Sequence, residues 1–175
     1  MSVVIARGEE VLGGDTGAAW FSDDRRYRYL LTRWWSDAPE AMTWIMLNPS
    51  TADASADDPT IRRCIRFARR EGCGSIRVVN LFALRATHPR ELSLPGRDPV
   101  GPDNDRILAE HAQAHLVVAA WGAGGALNGR AREVGSRLTT AGVRLMCFGV
   151  TRDGHPRHPL YVRSDAPLVP WEPQR

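Results

Sequence analysis

Four short apolar runs recur along most of the chain, and a longer amphipathic stretch separates each run from the next. The runs are residues 42–47, 76–79, 116–121 and 143–148, each short enough for a strand covered on both faces. Connections of this length join parallel strands through helices on the faces of a sheet. The pattern predicts an α/β fold over residues 41–170, with a four-stranded, mainly parallel sheet in a three-layer α/β/α arrangement.

Residues 1–40 follow a different pattern. Polar and apolar side chains alternate from residue 26 to residue 35, which is typical of a half-buried strand. We expect an N-terminal antiparallel addition in this region. A chain of 175 residues with 43% apolar content fits one α/β domain over residues 1–175.

The stretches between the runs carry helix start and stop signals. Asp58 and Pro59 favour a helix start, since an acidic cap and a first-turn proline are both well tolerated there. Two further helices are predicted over residues 103–114 and 126–141. The segment 85–102 contains several prolines and exceeds the usual connection length, which indicates a functional or lid-like loop.

Composition narrows the function classes. No apolar run is long enough to cross a bilayer, and the first residues lack a signal-peptide pattern, so we expect a cytoplasmic protein with no membrane partner. All 23 basic residues are arginine, yet the formal net charge is only +3. That balance permits nucleic-acid binding without requiring it.

Cysteine and carboxylate spacing indicate neither a metal nor a cofactor. Cys64, Cys73 and Cys147 are odd in number and widely spaced, which favours packing over a disulfide framework or a metal site. The aspartates between residues 53 and 58 and the late histidines lack an ordered ligand spacing. We therefore expect no metal and no cofactor, and no nucleophile motif indicates covalent chemistry.

Polar, proline-marked or glycine-marked segments follow all four runs, at residues 47–50, 80–83, 120–123 and 151–160. In open parallel sheets, ligands bind outside the carboxyl ends of the strands. The sequence therefore predicts that these segments meet around one site.

The polar candidates in these segments have structural alternatives. Asn48 can simply end a strand before a proline. Asn80 can satisfy its amide on a neighbouring loop, since an unsatisfied buried amide costs about 1–3 kcal/mol. His155 and His158 lie three residues apart, and either can be a solvated loop residue or the functional histidine.

Longer blocks around these segments carry a family resemblance. They are Leu-Asn-Pro-Ser-Thr-Ala-Asp at 47–53, Asp-Pro-Thr-Ile-Arg-Arg at 58–63, Asn-Leu-Phe-Ala at 80–83 and His-Pro-Leu-Tyr at 158–161. Over roughly residues 25–170 the chain resembles the domain of unknown function 1643 family. That resemblance implies no activity.

A more distant resemblance is to the uracil-DNA glycosylase superfamily. Residues 46–50 are similar to the Gly-Ile-Asn-Pro-Gly motif of its mismatch-specific members, with Ser50 in place of the final glycine. Residues 79–87 resemble a Thr-Asn-Leu-Val-x-Arg-Pro-Thr block, and residues 120–122 a Leu-Trp-Gly strand end. Residues 155–160 are similar to a His-Pro-Ser-Pro-Leu loop but contain two histidines.

The superfamily resemblance implies a monofunctional DNA glycosylase acting on uracil or another modified base. In that reading Asn48 orients the attacking water and His158 stabilises the departing base. Asn80 reads the base edge, and Leu47 and Phe82 lie beside the base. Water is the nucleophile, and DNA is the partner of a monomeric protein.

Phosphate contacts are expected from the loops at the same strand ends. Hydroxyl, guanidinium and backbone donors suit DNA phosphates, and a glycine turn before a helix is a common anion site. The candidates are Ser50, Thr51, Arg85, Gly122 and Arg157. Two other functions fit the same pocket: an N-glycosidase or hydrolase of free nucleosides or nucleotides, and a non-catalytic nucleic-acid-binding or defence-associated module.

Overall fold

One eight-stranded sheet runs through the computed structural model, which describes residues 3–11, 15–50 and 57–173. Its strands are β1 (Val3–Val11), β2 (Asp15–Ser22), β3 (Arg28–Trp34), β4 (Ala41–Met46), β5 (Ser75–Asn80), β6 (Leu116–Ala119), β7 (Leu145–Cys147) and β8 (Val169–Pro170). The α-helices are α1 (Pro59–Arg70), α2 (Asn104–His111) and α3 (Arg130–Thr140), and short 3₁₀ helices cover Pro89–Ser93, Ala123–Gly129 and Pro159–Tyr161. None of the helices in these ranges is long and apolar enough to cross a bilayer.

The strand order is β1-β2-β3-β5-β4-β6-β7-β8. Within the described ranges, four neighbouring pairs are antiparallel and three are parallel. The predicted α/β class is therefore correct, but the prediction of a four-stranded, mainly parallel sheet is wrong. The four predicted strands are β4 to β7, and they do lie side by side and parallel. The N-terminal strands extend this block at one edge, where β3 pairs with β5, and β8 extends it at the other edge. The alternation of polar and apolar residues could not predict these pairings, because it does not indicate which strand lies beside which.

The parallel block has a point where the chain changes direction across the sheet. From β4 the chain crosses through α1 to β5 on one side, and from β6 it crosses through α3 to β7 on the other. Because β4 and β6 are direct neighbours, the connections leaving them diverge. A crevice opens at such a point outside the carboxyl ends of the strands.

Apolar side chains of the central strands alternate between two cores. On β4, Met42 and Trp44 pack in one core with Ile61 and Cys64 of α1. Ile45, which directly follows Trp44, packs in the other core with residues of α2 and α3. Helices therefore cover both faces of the sheet, and β4 is buried along its whole length.

Strand β3 departs from the predicted half-buried pattern. The prediction is wrong because β3 lies inside the sheet, between β2 and β5, and is covered on both faces. Its polar positions are buried as well: Arg28 is 3% exposed and Arg33 is fully buried. The Arg33 Nε donates to Asp57 at 2.8 Å, and this ion pair offsets the cost of burying a charge.

The predicted start of α1 is confirmed, whereas the other helix bounds differ. The Asp58 carboxylate accepts from the Ile61 N–H at 2.8 Å, and a proline occupies the first turn. Helix α2 ends at His111, earlier than predicted. Helix α3 begins at residue 130 instead of 126, because Asn128 and Gly129 adopt positive φ angles of 53° and 67° that interrupt a helix.

Replacing Asp58 with alanine is expected to lower the free energy of unfolding by about 1 kcal/mol, the usual effect of losing a helix cap. The variant also loses the hydrogen bond that the Ser50 hydroxyl donates to this carboxylate at 2.5 Å. Urea denaturation measures the change. Asp58→Asn keeps a capping oxygen and should recover most of the lost stability, and equal stability of the native protein and both variants would contradict the assignment.

Candidate functional site

A cavity of about 340 Å³ opens at the carboxyl ends of β4, β5 and β6. We call it the strand-end cavity. Its volume lies in the usual range of small-molecule sites. Six of the predicted site residues line it: Leu47, Asn48, Ser50, Asn80, Gly122 and His158.

Asn48 lies directly after β4 and is anchored through its amide nitrogen. Nδ2 donates to the backbone oxygens of Pro49 and Ala86, at 3.0 and 2.8 Å. Two carbonyl acceptors require the nitrogen on that side, which fixes the orientation of the amide. Both donor hydrogens are therefore used, and Oδ1 is the group that Asn48 can offer to a ligand, as an acceptor.

Asn80 is the last residue of β5 and is 1% exposed. Its backbone oxygen accepts from the side chain of Asn104 at 3.1 Å, which anchors the strand end. Its Nδ2 is buried and has no hydrogen-bond partner among the residues that the structure describes. A buried donor without a partner is unfavourable by about 1–3 kcal/mol, so Asn80 offers the cavity a donor that a ligand oxygen would satisfy.

His158 is partly buried and faces the same cavity from the loop that follows β7. Its Nδ1 accepts from the Leu160 N–H at 3.4 Å. That contact assigns the hydrogen to Nε2, which leaves an N–H donor on the other side of the ring. Burial lowers the pKa of His158 below its usual value of 6.5, and the carboxylate of Asp58 opposes the shift. The neutral imidazole is therefore the form at pH 7.

The lowered pKa of His158 predicts a pH dependence of stability. The unfolded chain binds a proton at this histidine more readily than the folded protein, so stability falls as the pH drops below about 6.5. Between pH 7 and pH 5, the free energy of unfolding should fall less in His158→Gln than in the native protein. Burial also lowers the pKa of the partly buried His111, but this residue is present in both proteins, so its contribution cancels. Equal losses in chemical denaturation at the two pH values would contradict this prediction.

His155 lies apart from this site. It lines a second cavity, beside Trp171, while its backbone pairs with Thr151. The turn after β6 helps to separate the two histidines. The Gly122 N–H donates to the oxygen of Pro156, which lies between them, at 2.8 Å, and the loop is held against the sheet with His158 toward the strand-end cavity. Of the two histidines, the structure brings only His158 to the strand-end cavity.

Other predicted site residues do not reach the cavity. Phe82, predicted to lie beside a base, is 1% exposed and packs in the core with α2 and α3, outside the lining of the cavity. Arg157 is exposed and its Nε donates to the Val150 oxygen at 2.8 Å, away from the cavity lining. Arg85 lines a neighbouring groove. Thr51 lies outside the described residues.

The turn at Gly122 is not the start of an α-helix. A 3₁₀ helix over Ala123–Gly129 follows it, and α3 begins only at Arg130. The α-helix predicted to begin soon after this turn therefore starts later in the chain, and the turn leads into a 3₁₀ helix instead. A side chain on Gly124 would instead collide with Leu47, at 2.5 Å from its Cδ2, so this glycine lets the turn pack closely on the end of β4.

Two charged residues of the cavity escaped the sequence interpretation. Arg28 lines it from β3, where it is 3% exposed. Asp58 lines it as well, in addition to capping α1. Neither placement could be predicted from the spacing of residues in the sequence. Arg28 reaches the cavity because β3 pairs with β5, and Asp58 reaches it because of the way α1 packs on the sheet.

Metal binding finds no support in this region. Among the described residues, no group of three histidine, cysteine, aspartate or glutamate side chains is arranged to hold a metal ion. Asp53, one of the aspartates considered in the sequence, lies outside the described ranges.

Comparison with known proteins yields one family. A protein family described as "Protein of unknown function (DUF1643)" matches residues 28–160 of the chain. The matched span includes Asn48, Asn80 and His158. No curated protein and no solved structure matches the chain.

Proposed function

Because the chain belongs to the DUF1643 family, whose description assigns no reaction, we propose a function from the cavity itself. We propose a monofunctional DNA glycosylase that hydrolyses the N-glycosidic bond of uracil or another modified base. The partner is DNA, bound by a single copy of the chain, and the proposed reaction uses neither a metal ion nor a cofactor. Four motifs similar to those of the uracil-DNA glycosylase superfamily support the same reaction.

One observation carries the proposal: Asn48, Asn80 and His158 line a single cavity, each with a different hydrogen-bonding group left to offer. Asn48 has an acceptor oxygen, because both of its donor hydrogens bind backbone carbonyls. His158 has an Nε2–H donor. Asn80 has an unpaired buried donor beside its own carbonyl oxygen.

In this proposal Asn80 recognises the base. A uracil edge presents carbonyl oxygens and an N–H, and one amide offers the matching donor and acceptor side by side. The base must leave the helical stack to reach such a cavity, and flipped bases are read by hydrogen bonds to this edge. A base carbonyl would satisfy the buried Nδ2 of Asn80.

Hydrolysis requires a water on one side of the sugar and stabilisation of the base on the other. The Asn48 oxygen accepts a hydrogen bond from the water and so directs its lone pair toward the anomeric carbon. The new C–O bond forms as the C–N bond breaks, the bonding electron pair leaves with the base, and the proton of the water passes to solvent.

The departing base carries the negative charge. The His158 N–H can donate to a base carbonyl as that charge develops, and one such donor contributes about 2.7–4 kcal/mol to lowering the barrier. Arg28 adds a permanent positive charge to the same cavity wall. Both groups favour an anionic leaving group over the neutral substrate.

An alkali assay tests the proposal. The purified protein is incubated with single-stranded and duplex oligonucleotides that contain uracil, hypoxanthine or hydroxymethyluracil, and alkali then cleaves the strand at abasic sites. We expect cleavage at the modified position of at least one substrate, and none before alkali. Intact strands for every base in both contexts would count against a DNA glycosylase.

A second candidate shares the cavity. Hydroxyl side chains of Ser50, Thr60 and Tyr161 also line it, which favours a free nucleoside whose sugar hydroxyls they could bind. A nucleoside hydrolase would release base from deoxyuridine alone. Its substrate affinity would be insensitive to salt, whereas DNA binding weakens steeply as salt rises.

A further inference from the structure

A groove rich in arginine adjoins the strand-end cavity. It has a volume of about 480 Å³ and shares Ser50, Ala86 and Thr87 with the cavity as a common rim. Four arginines line it: Arg25, Arg26, Arg85 and Arg97. We call it the arginine groove. Its arginines come from the β2–β3 turn, the segment after β5 and the loop before α2, which are far apart in sequence.

The positive charge of the groove is largely uncompensated. Among the described residues, Arg25, Arg85 and Arg97 form no ion pair, and the Arg26 Nε lies 3.9 Å from Oδ2 of Asp24 in an exposed pair. Glu91 is the carboxylate in the lining, and its Oε1 accepts from the His88 N–H. A groove lined by four arginines and one carboxylate has an excess of positive charge, which suits an anion with several oxygen atoms.

Two of these arginines are held in place before any ligand arrives. The guanidinium groups of Arg25 and Arg85 lie over the ring of Phe21, at 5.0 and 5.4 Å from its centroid. Arg85 also donates to the Arg25 oxygen at 3.2 Å, and its Nε is buried without a partner among the described residues. Arg25 adopts a positive φ of 55°, which is uncommon for a residue with a side chain. Like charges and a strained turn are tolerated here, which is typical of a functional site.

The groove is connected rigidly to the proposed catalytic asparagine. The Arg85 N–H donates to the Arg26 oxygen at 3.0 Å, and the next residue, Ala86, donates to Pro49 at 3.2 Å and accepts from Asn48 at 2.8 Å. An anion bound by Arg85 therefore has a defined position relative to Asn48, because the adjacent residue Ala86 accepts a hydrogen bond from the Asn48 side chain.

We propose that the arginine groove binds the phosphodiester backbone of a DNA strand next to the nucleotide in the strand-end cavity. The inference rests on the proposed function for the occupant of the cavity, and it deepens that function by assigning the surface that holds the DNA strand. The β2–β3 turn, with Arg25 and Arg26, thereby becomes part of the substrate site although it precedes the matched family span.

Binding of an uncleaved oligonucleotide tests this inference without requiring catalysis. Fluorescence anisotropy gives the dissociation constant of a labelled single-stranded DNA across a series of salt concentrations, for the native protein and for Arg25→Gln/Arg97→Gln. Each phosphate contact contributes about 0.7 to the slope of log affinity against log salt on single strands, so we expect the slope to be less steep by about 1.4 in the double variant.

The matched control is Arg66→Gln/Arg144→Gln, which removes the same charge. Both of these arginines are exposed, and neither lines the arginine groove. This control should keep the native slope. Arg97→Gln alone changes an exposed side chain and gives a second measurement if the double variant is less stable, with an expected slope change of about 0.7.

Three results would overturn the inference: no binding of DNA by the native protein, the same slope change in the groove variant and the control, or displacement of the oligonucleotide by deoxyuridine monophosphate at equal affinity. Failure of the proposed function gives a different result, since a strand-binding protein that releases no base would keep the groove effect. Conversely, base release from free deoxyuridine, unaffected by the groove variant, would support the nucleoside hydrolase and contradict the groove's role.

Discussion

Asn48→Ala should reduce the rate of base release by at least about a hundredfold, with little change in the affinity for uncleaved DNA. Misplacing a reacting group by about 1 Å can lower a rate by about this factor, and the variant removes the oxygen that orients the water. Single-turnover kinetics on the oligonucleotide that the native protein cleaves best, with thermal unfolding of both proteins as a control for folding, measures the effect.

A second substitution separates the catalytic role of Asn48 from its structural role. Asn48→Asp loses the two bonds to Pro49 and Ala86, as the alanine variant does, but keeps an oxygen that faces the cavity. We expect it to retain more activity than Asn48→Ala. If the asparagine served only to hold the loop, the aspartate would be no better than alanine, because its second oxygen would face two carbonyl acceptors.

His158→Ala should lower kcat by about 10²–10³, the usual cost of losing one donor to a developing negative charge. KM should change little, since the donor acts mainly as the base departs. His158→Gln restores an N–H donor on a side chain of similar reach and should recover part of the rate. Steady-state kinetics measured between pH 6 and pH 8 gives kcat and KM. At the upper end of this range the His158 imidazole is neutral.

His155→Ala is the matched control for this prediction. It removes a histidine from the same loop, but the side chain lines the cavity beside Trp171. Its kcat should equal that of the native protein. Equal losses in His155→Ala and His158→Ala would indicate that the loop as a whole matters, and would contradict a specific role for His158.

The meeting of Asn48, Asn80 and His158 at one cavity is the part of the site that the sequence could predict. Asn48 and Asn80 each follow an apolar run, and the carboxyl ends of parallel strands lie at one edge of a sheet. That inference needs only the strand type and the strand ends, which the pattern indicates clearly. It does not require the order of the strands.

Other parts of the site depend on long-range packing. Arg28 is in the cavity because β3 pairs with β5, and an alternating run cannot reveal which strand will be its neighbour. Phe82 has the aromatic side chain expected beside a base, yet it packs in the core with residues of α2 and α3. Arg157 and His155 share a loop with His158, and which of them faces the cavity depends on backbone bonds to distant residues, such as the bond that the Gly122 N–H donates to the Pro156 oxygen.

Direct detection of the released base is the most decisive measurement of the central claim. Mass spectrometry quantifies free base and abasic sites after incubation of a panel of modified oligonucleotides with the native protein, Asn48→Ala, Asn80→Ala, His158→Ala and His155→Ala. We predict equal amounts of base and abasic site from the native protein and His155→Ala, and a large loss in the other three. No base from any substrate, or equal release by all five proteins, would contradict a base-hydrolysing cavity formed by these three side chains.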